Sequence, residues 1–398
     1  MAGHVSTPPT DGGSTLARHK QTSPGVRSCS GFAETLAHPD PRIAASRQAV
    51  QTRLLSWYDR NKRDLPWRRR PDDAYAQLVA EFMLQQTQVA TVVAYYDRFL
   101  GRFPTAMALA TADLDEVLAA WSGLGYYRRA RNLHATAQRI AAEHGGQVPA
   151  DVAELTRLPG IGRYTAGAIA SVALGVRVPI LDGNVIRVLT RLLAMRDDPS
   201  KASMRRTLWR VAEELLPATR CGDFNQALME LGATVCTPQG PACERCPLAG
   251  QCQARARELT DVIPAAVRRP KVQPLTLVTA AIRCGDALLF VQRPRTGLWA
   301  GLWALPSEEV ERGEDASLAL RRLRATLPAG TRLARCPISS LTRLLTHRSV
   351  TFQIHAGTCT LPKQLPPPKG KWVHPQEWAE LGVSRALTAI LKAVGWPG

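Results

Sequence analysis

The sequence predicts a multidomain protein, with an all-α domain followed by an α/β domain. Length, a change in hydrophobic period and a proline-rich connector point to it. At 398 residues the chain is too long for one ordinary core. From about Arg47 to Ala256, apolar residues recur at spacings of three and four, as in Val79, Phe82 and Met83 or Leu133, Ala137 and Ile140. This is the helical period, and short Gly or Pro breaks divide the helices. From Leu275 the texture turns to strand-like runs, LTLVTAAI, ALLFVQ and a stretch around Val350 to Cys359, with a helix-like segment from Ala316 to Ala325. Between the two textures lies IPAAVRRPKVQP, whose three prolines and lack of period make it a connector. The expected division is a disordered tail over 1–45, a helical domain over 46–262, a linker over 263–274 and a second domain over 275–398. The prolines of 362–371 predict a further loop.

Composition narrows the function classes. Lys and Arg number 51 against 33 Asp and Glu, a net charge of +18 that suits a polyanion such as DNA. An Arg-rich genome would raise the charge of any protein, so charge does not settle the partner. No run of about 18 apolar residues is present, which removes a membrane span. The first 45 residues lack a continuous apolar core and do not read as a secretion signal. Of nine cysteines, five are scattered, and Cys236, Cys243, Cys246 and Cys252 cluster. An odd count without a signal argues for a reducing interior with a metal site rather than a disulfide scaffold.

Leu158-Pro159-Gly160-Ile161-Gly162 leads into a helix, and its glycines permit a tight turn with outward-pointing amides. A turn of that kind at a helix start attracts phosphate. With a helix on either side, the segment has the helix-hairpin-helix pattern, which holds one DNA strand without reading bases. Beyond it, Asp182 interrupts an apolar run just before an expected helix, where most aspartates serve as N-caps. Glu81 stands among Leu78, Phe82 and Leu84, a setting too apolar for an ordinary solvated face. Such a Glu81 has a raised pKa and stays protonated near neutrality, whereas Asp182 beside helix amides is expected to stay ionised. Glycosidic cleavage needs that pair: a proton donor for the leaving group and a negative charge beside a cationic sugar.

The cysteine cluster has the spacing C-x6-C-x2-C-x5-C, with no histidine within it. Four cysteines hold either zinc or a 4Fe-4S cluster, and a single C-x2-C favours the cluster, since zinc sites usually use two close pairs. Its expected role is structural, with Arg245, Arg255 and Arg257 presenting charge to a DNA backbone.

The hairpin, the Asp182 segment and the cysteine loop together resemble the endonuclease III superfamily of base-excision glycosylases. Within it, MLQQTQVATV after Glu81, GLGYYRRARNLH from Gly123 to His134, and LPGIGRYTAGAI resemble the MutY family of adenine glycosylases. The resemblance implies a monomeric cytoplasmic, DNA-associated enzyme that removes adenine mispaired with 8-oxoguanine or guanine in double-stranded DNA. Glu81 would protonate adenine and help activate water, and Asp182 would stabilise the sugar cation, directly or through a covalent stage. It further implies that Leu84, Gln86 and Thr87 line the groove near the oxidised guanine, with Tyr126 wedged beside it and Arg128, Gly160 and Gly162 among the DNA contacts. Tyr127 reads equally well as core packing. Tyr164 lies where bifunctional relatives carry a Schiff-base lysine, so a monofunctional enzyme is expected. Asn184, Trp67, Arg68 and Glu230 match catalytic or adenine-pocket positions, although Trp67 and Glu230 could equally be core and surface residues.

After the linker, VQRPRTGLWAGLWALP resembles the Nudix-like C-terminal domain of the same family. Where a Nudix hydrolase clusters glutamates for magnesium, this chain reads ASLALRRLRATL, so pyrophosphate hydrolysis is not expected. In the family this domain checks for 8-oxoguanine through a loop that often reads Phe-Ser-His. Here it reads Leu345-Thr346-His347, keeping a hydroxyl and an imidazole but losing the phenylalanine ring. Two competing readings are a pyrimidine-directed glycosylase/lyase, which Tyr164 opposes, and a non-catalytic DNA-binding protein, which the presence of both carboxylates opposes.

Overall fold

The computed structural model describes residues 41–266, 271–360 and 370–396. Most of the expected tail, part of the linker and nearly all of the 362–371 loop lie outside the described residues. The first helix among the described residues, Pro41–Ala44, lies ahead of the boundary placed at 46. Proline suits a helix start, and Ile43 is buried in the core beside the helix Ala202–Leu215, an apolar anchor that the surrounding polar composition hides. Val79, Phe82, Met83, Leu133, Ala137 and Ile140 are all buried, so the spacing of three and four marked real core faces.

Two apolar cores organise this domain. One gathers the helices Ala74–Leu84, Val89–Arg102 and Arg128–His144, and the other gathers Arg47–Asn61, Gly183–Leu192, Ala202–Leu215 and Cys221–Thr234. The helix Arg163–Ala173 contributes to both, through Ile169 and Ala170 on one side and Ala168 on the other.

The second domain is a mixed eight-stranded sheet. Its strands are β1 (Gln273–Cys284), β2 (Ala287–Gln292), β3 (Trp303–Ala304), β4 (Ser307–Val310), β5 (Arg332–Leu333), β6 (Ser339–Leu344), β7 (Arg348–Thr358) and β8 (Gly370–Val373). β1 and β7 run parallel from Gln273↔Arg348 to Arg283↔Thr358, while the other pairings between strands are antiparallel. Both faces of β1 are covered. Leu275, Leu277 and Ala281 join one core, and Val278, Ala280 and Ile282 join the other, beneath the helix Ala316–Thr326. Double coverage explains why apolar residues occupy both faces of this strand instead of alternating with polar ones. β1 starts two residues ahead of the expected boundary at 275.

The domains are docked. Leu302 of the second domain is fully buried in the helical core, and a Cβ on Gly382 would lie 2.7 Å from Leu118 Cβ. Ser122 Oγ and Tyr127 OH both donate to the Val383 carbonyl, at 3.0 and 2.5 Å. Tyr127 is thus a buried packing residue that also bridges the domains.

Candidate active site

A cleft of about 1470 Å³ opens between the domains. The helical domain contributes Glu81, Leu84, Gln86, Tyr126, Arg128, Tyr164 and Asp182 to its walls, and the second domain contributes Thr346 and His347. Residues far apart in sequence are thereby gathered on one surface.

Glu81 lies in the last turns of Ala74–Leu84, a helix started by the Asp73 side chain accepting from the Ala76 amide. It is 3% exposed. Gln77 Nε2 donates to Oε1 at 2.9 Å, while Oε2 has no hydrogen-bond partner. Burial pushes the carboxyl up to about 7, outweighing the nearby Tyr164 hydroxyl and the Gln77 hydrogen bond, and the charge of Asp182 pushes the same way. The Tyr164 hydroxyl in its present rotamer donates to Met229 Sδ at 3.4 Å. Burial and the two neighbouring carboxylates keep it neutral, well above the usual tyrosine range.

Asp182 serves both as a helix cap and as a cleft-lining residue. Its Oδ1 accepts from the Val185 amide at 2.7 Å, capping Gly183–Leu192, and its Oδ2 accepts from Asn184 Nδ2 at 2.9 Å. The helix amides favour its ionised form but do not bring it below the ordinary value. Burial raises its pKa above the ordinary value, and the Val185 and Asn184 groups and the charge of Arg187 only pull part of that back. The pair remains asymmetric in its partners, because backbone amides and a nearby cation favour the Asp182 carboxylate and neither reaches Glu81. Asn184 does not line the cleft. It accepts from Arg187 Nη2 at 2.8 Å and acts on Asp182 from behind.

The hairpin runs from the helix Val152–Arg157, capped by Asp151, to Arg163–Ala173. Gly160 sits at φ 78° with Asn132 packed against its missing side chain, so no other residue fits without strain. Gly162 is the N-cap of the second helix and leaves open space beside it. Neither glycine lines the cleft, although Tyr164, in the first turn of the second hairpin helix, does.

Tyr126 is 44% exposed, and its hydroxyl lies 2.6 Å from Thr346 Oγ1 across the cleft. Thr87 does not line the cleft, and its hydroxyl accepts from Arg129 Nη2 at 2.8 Å. Arg129, which sequence reasoning passed over in favour of Arg128, is 7% exposed and donates to six acceptors. Nothing in the pair Arg128-Arg129 marks which one turns inward. Only the helical phase of Arg128–His144 does, placing Arg129 on the face of Leu133 and Ile140.

Trp67, Arg68 and Glu230 are absent from the walls of this cleft. Trp67 packs edge-on against Tyr96 at 5.6 Å, and Glu230 is 1% exposed between Arg63 at 2.7 Å and Arg68 at 2.8 Å. The surface reading of Glu230 is therefore wrong, and the core reading of Trp67 describes what the structure holds. Two guanidiniums outweigh the burial of Glu230 and keep its carboxyl below the usual range.

Cys236, Cys243, Cys246 and Cys252 line one small void. Among the described residues no group of three or more His, Cys, Asp or Glu is arranged to hold a single metal ion. Four thiols around one void, with no histidine among its lining residues, are a donor set that an iron-sulfur cluster takes. Burial pushes Cys246 up to about 11, with the other three cysteines adding to it, so four thiolates here call for a cationic centre. Arg191, 2% exposed and also missed in the sequence, supports the loop through Cys236 Sγ at 3.4 Å and the Thr237 carbonyl at 2.7 Å. The donor set fits an iron-sulfur cluster.

In the second domain, the stretch corresponding to the hydrolase box forms Ala316–Thr326. Its Arg322 pairs with Glu308 and Glu314, so two of the nearest carboxylates are bound to a guanidinium.

A helix-hairpin-helix fold with two carboxylates in a basic cleft defines a base-excision DNA repair glycosylase. Residues 79–214 match the HhH-GPD superfamily base excision DNA repair protein family, and residues 278–393 match the NUDIX domain. The chain is 38% identical over 413 residues to the adenine DNA glycosylase of Homo sapiens, covering 88% of this chain and 75% of that protein. It is 46% identical over 210 residues to that of Mycobacterium tuberculosis (strain ATCC 25618 / H37Rv), covering 53% and 69%. Among solved structures it is similar to a thermostable thymine-DNA glycosylase, at 28% identity and a TM-score of 0.49, over 54% of this chain and 99% of that one. The chain belongs to the adenine DNA glycosylase family, enzymes that hydrolyse N-glycosyl bonds in base-excision repair.

Proposed function

We propose that the enzyme removes adenine paired with 8-oxoguanine, or less well with guanine, as a monofunctional glycosylase acting on an extruded nucleotide. One observation carries the reading: two carboxylates open into the same cleft, one held at about 7 with an unpartnered oxygen, the other tied to backbone amides. Neutral Glu81 donates its proton to the purine as the N-glycosidic bond breaks and the bonding pair leaves with the base. The Asp182 carboxylate, steadied by Asn184, stabilises the cationic sugar until water adds and gives up a proton to the Glu81 carboxylate. Tyr164 offers a hydroxyl where a lyase needs an amine, so no Schiff base forms.

Around that centre, Leu84, Gln86, Tyr126 and Arg128 are assigned to the lesion strand together with Thr346 and His347, and Thr87 acts through the loop that Arg129 holds. Gly160 and Gly162 present hairpin amides to a phosphate. Arg68 and Glu230, with Trp67, are assigned to the adenine side, behind the present cleft wall. The four cysteines hold a 4Fe-4S cluster, which supplies structural support for the loop. The helical domain, linker and Nudix-like domain divide near 262 and 275. Base release from duplexes that differ only in the base opposite adenine tests the reading. We expect 8-oxoguanine to give the fastest release, guanine slower release, and borohydride to trap no adduct. Equal release from every duplex would remove the opposite-base claim, and a trapped adduct would remove the monofunctional one.

A further inference from the structure

The most heavily bonded side chain beside the cleft is one that no step of the reaction uses. Arg129 is the second residue of the helix Arg128–His144 and is buried. Its Nη1 donates to the carbonyls of Phe82 at 2.9 Å, Met83 at 2.7 Å and Gln85 at 2.5 Å. These carbonyls belong to the end of the Glu81 helix, where backbone acceptors lack intrahelical partners. Its Nη2 donates to Thr87 Oγ1 at 2.8 Å and to the Gly125 and Leu124 carbonyls at 3.0 and 3.3 Å. The guanidinium also lies 5.4 Å from the centre of the Tyr126 ring.

The two segments it joins are strained. Gln86 has φ 58° and Tyr126 has φ 50°, conformations that residues with a side chain rarely adopt. Both residues line the cleft, as does Leu84, which lies between two of the bonded carbonyls. Tyr126 in turn reaches Thr346 of the second domain. A planar fork with donors in two directions can satisfy both segments at once, which an ammonium cannot.

We infer that Arg129 is a positioning residue for the opposite-base check: it fixes the end of the Glu81 helix and the Tyr126 loop in one geometry, so that contact with the base opposite adenine is felt where adenine is released. The inference rests on the proposed opposite-base preference. A residue that merely holds the fold would lower the active fraction equally for every substrate. A positioning residue changes the ratio between substrates.

The experiment is single-turnover adenine release by Arg129→Lys and Arg129→Met on A:8-oxoguanine and A:G duplexes, normalised to active enzyme by burst amplitude. Release opposite 8-oxoguanine is expected to slow at least tenfold, and release opposite guanine less than threefold, so the ratio collapses. If the Met variant fails to fold, Arg129→Lys decides, and Thr87→Val, which removes one of the six bonds, reads the same ratio with a smaller change. A ratio within twofold of wild type in the folded variants overturns the inference alone. A wild-type enzyme with equal rates on both duplexes overturns the opposite-base reading and this inference with it.

Discussion

Glu81 is the residue on which most of the chemistry turns, and its buried state has a consequence for stability. Its carboxyl titrates near 7 in the folded protein against an ordinary value of 4.5, so the folded state binds the proton more tightly than the unfolded chain. Folding stability therefore falls as pH rises from about 4.5 to 7, by about 3 kcal/mol at 1.36 kcal/mol per unit. Glu81→Gln removes that loss. The variant is expected to melt higher than wild type at pH 8 but not at pH 4, as calorimetry would record, while adenine release disappears and DNA binding survives. The same titration predicts that wild-type base release declines as pH rises through about 7, because the acid form is lost. A pH-rate profile flat from 6 to 9 would remove Glu81 from the role of acid. Asp182→Asn keeps a capping side chain, so its melting temperature should change little while turnover falls by orders of magnitude.

The helix-hairpin-helix shows how an element becomes a site. Gly160 is required by its backbone, since alanine at φ 78° costs about 1–2 kcal/mol and its Cβ would lie 2.6 Å from Asn132 Nδ2. Gly160→Ala should weaken affinity for matched and mismatched duplexes alike, measurable by fluorescence anisotropy, because the hairpin touches backbone rather than bases. The helices themselves were legible in sequence: the core faces follow the period of 3.6, and the β2 run ALLFVQ is a strand with those bounds. The starts at Pro41 and Gln273 were less so, because one rests on the burial of a single residue, Ile43, and the other on pairing of the exposed Gln273 with Arg348, neither of which is a repeating pattern. The cysteine loop was legible because its spacing is itself the signal. Cys246→Ser is expected to lose the visible absorption of an iron-sulfur protein and to be less soluble. Wild-type protein that is colourless yet active would exclude the cluster.

At the scale of the whole molecule, function depends on two domains sharing one cleft. Tyr127→Phe removes a buried hydrogen bond to Val383 and leaves its carbonyl with Ser122 alone, which should cost about 1 kcal/mol in a denaturant titration. A net charge of +18 implies that DNA affinity falls steeply with salt, and a log-log slope near zero would contradict a phosphate-dominated interface. The sequence by itself determined the two textures, the carboxylates, the thiolate spacing and the hairpin, because each is written in local order: a period, an interval or a glycine where a turn needs one. The tertiary structure alone decided that Arg129 joins the end of the Glu81 helix to the Tyr126 loop, that Glu230 is buried between two arginines, and that burial raises Asp182 as well as Glu81. Those outcomes depend on which distant segments pack around a side chain and how much water they exclude, and no neighbouring residue in the chain encodes that.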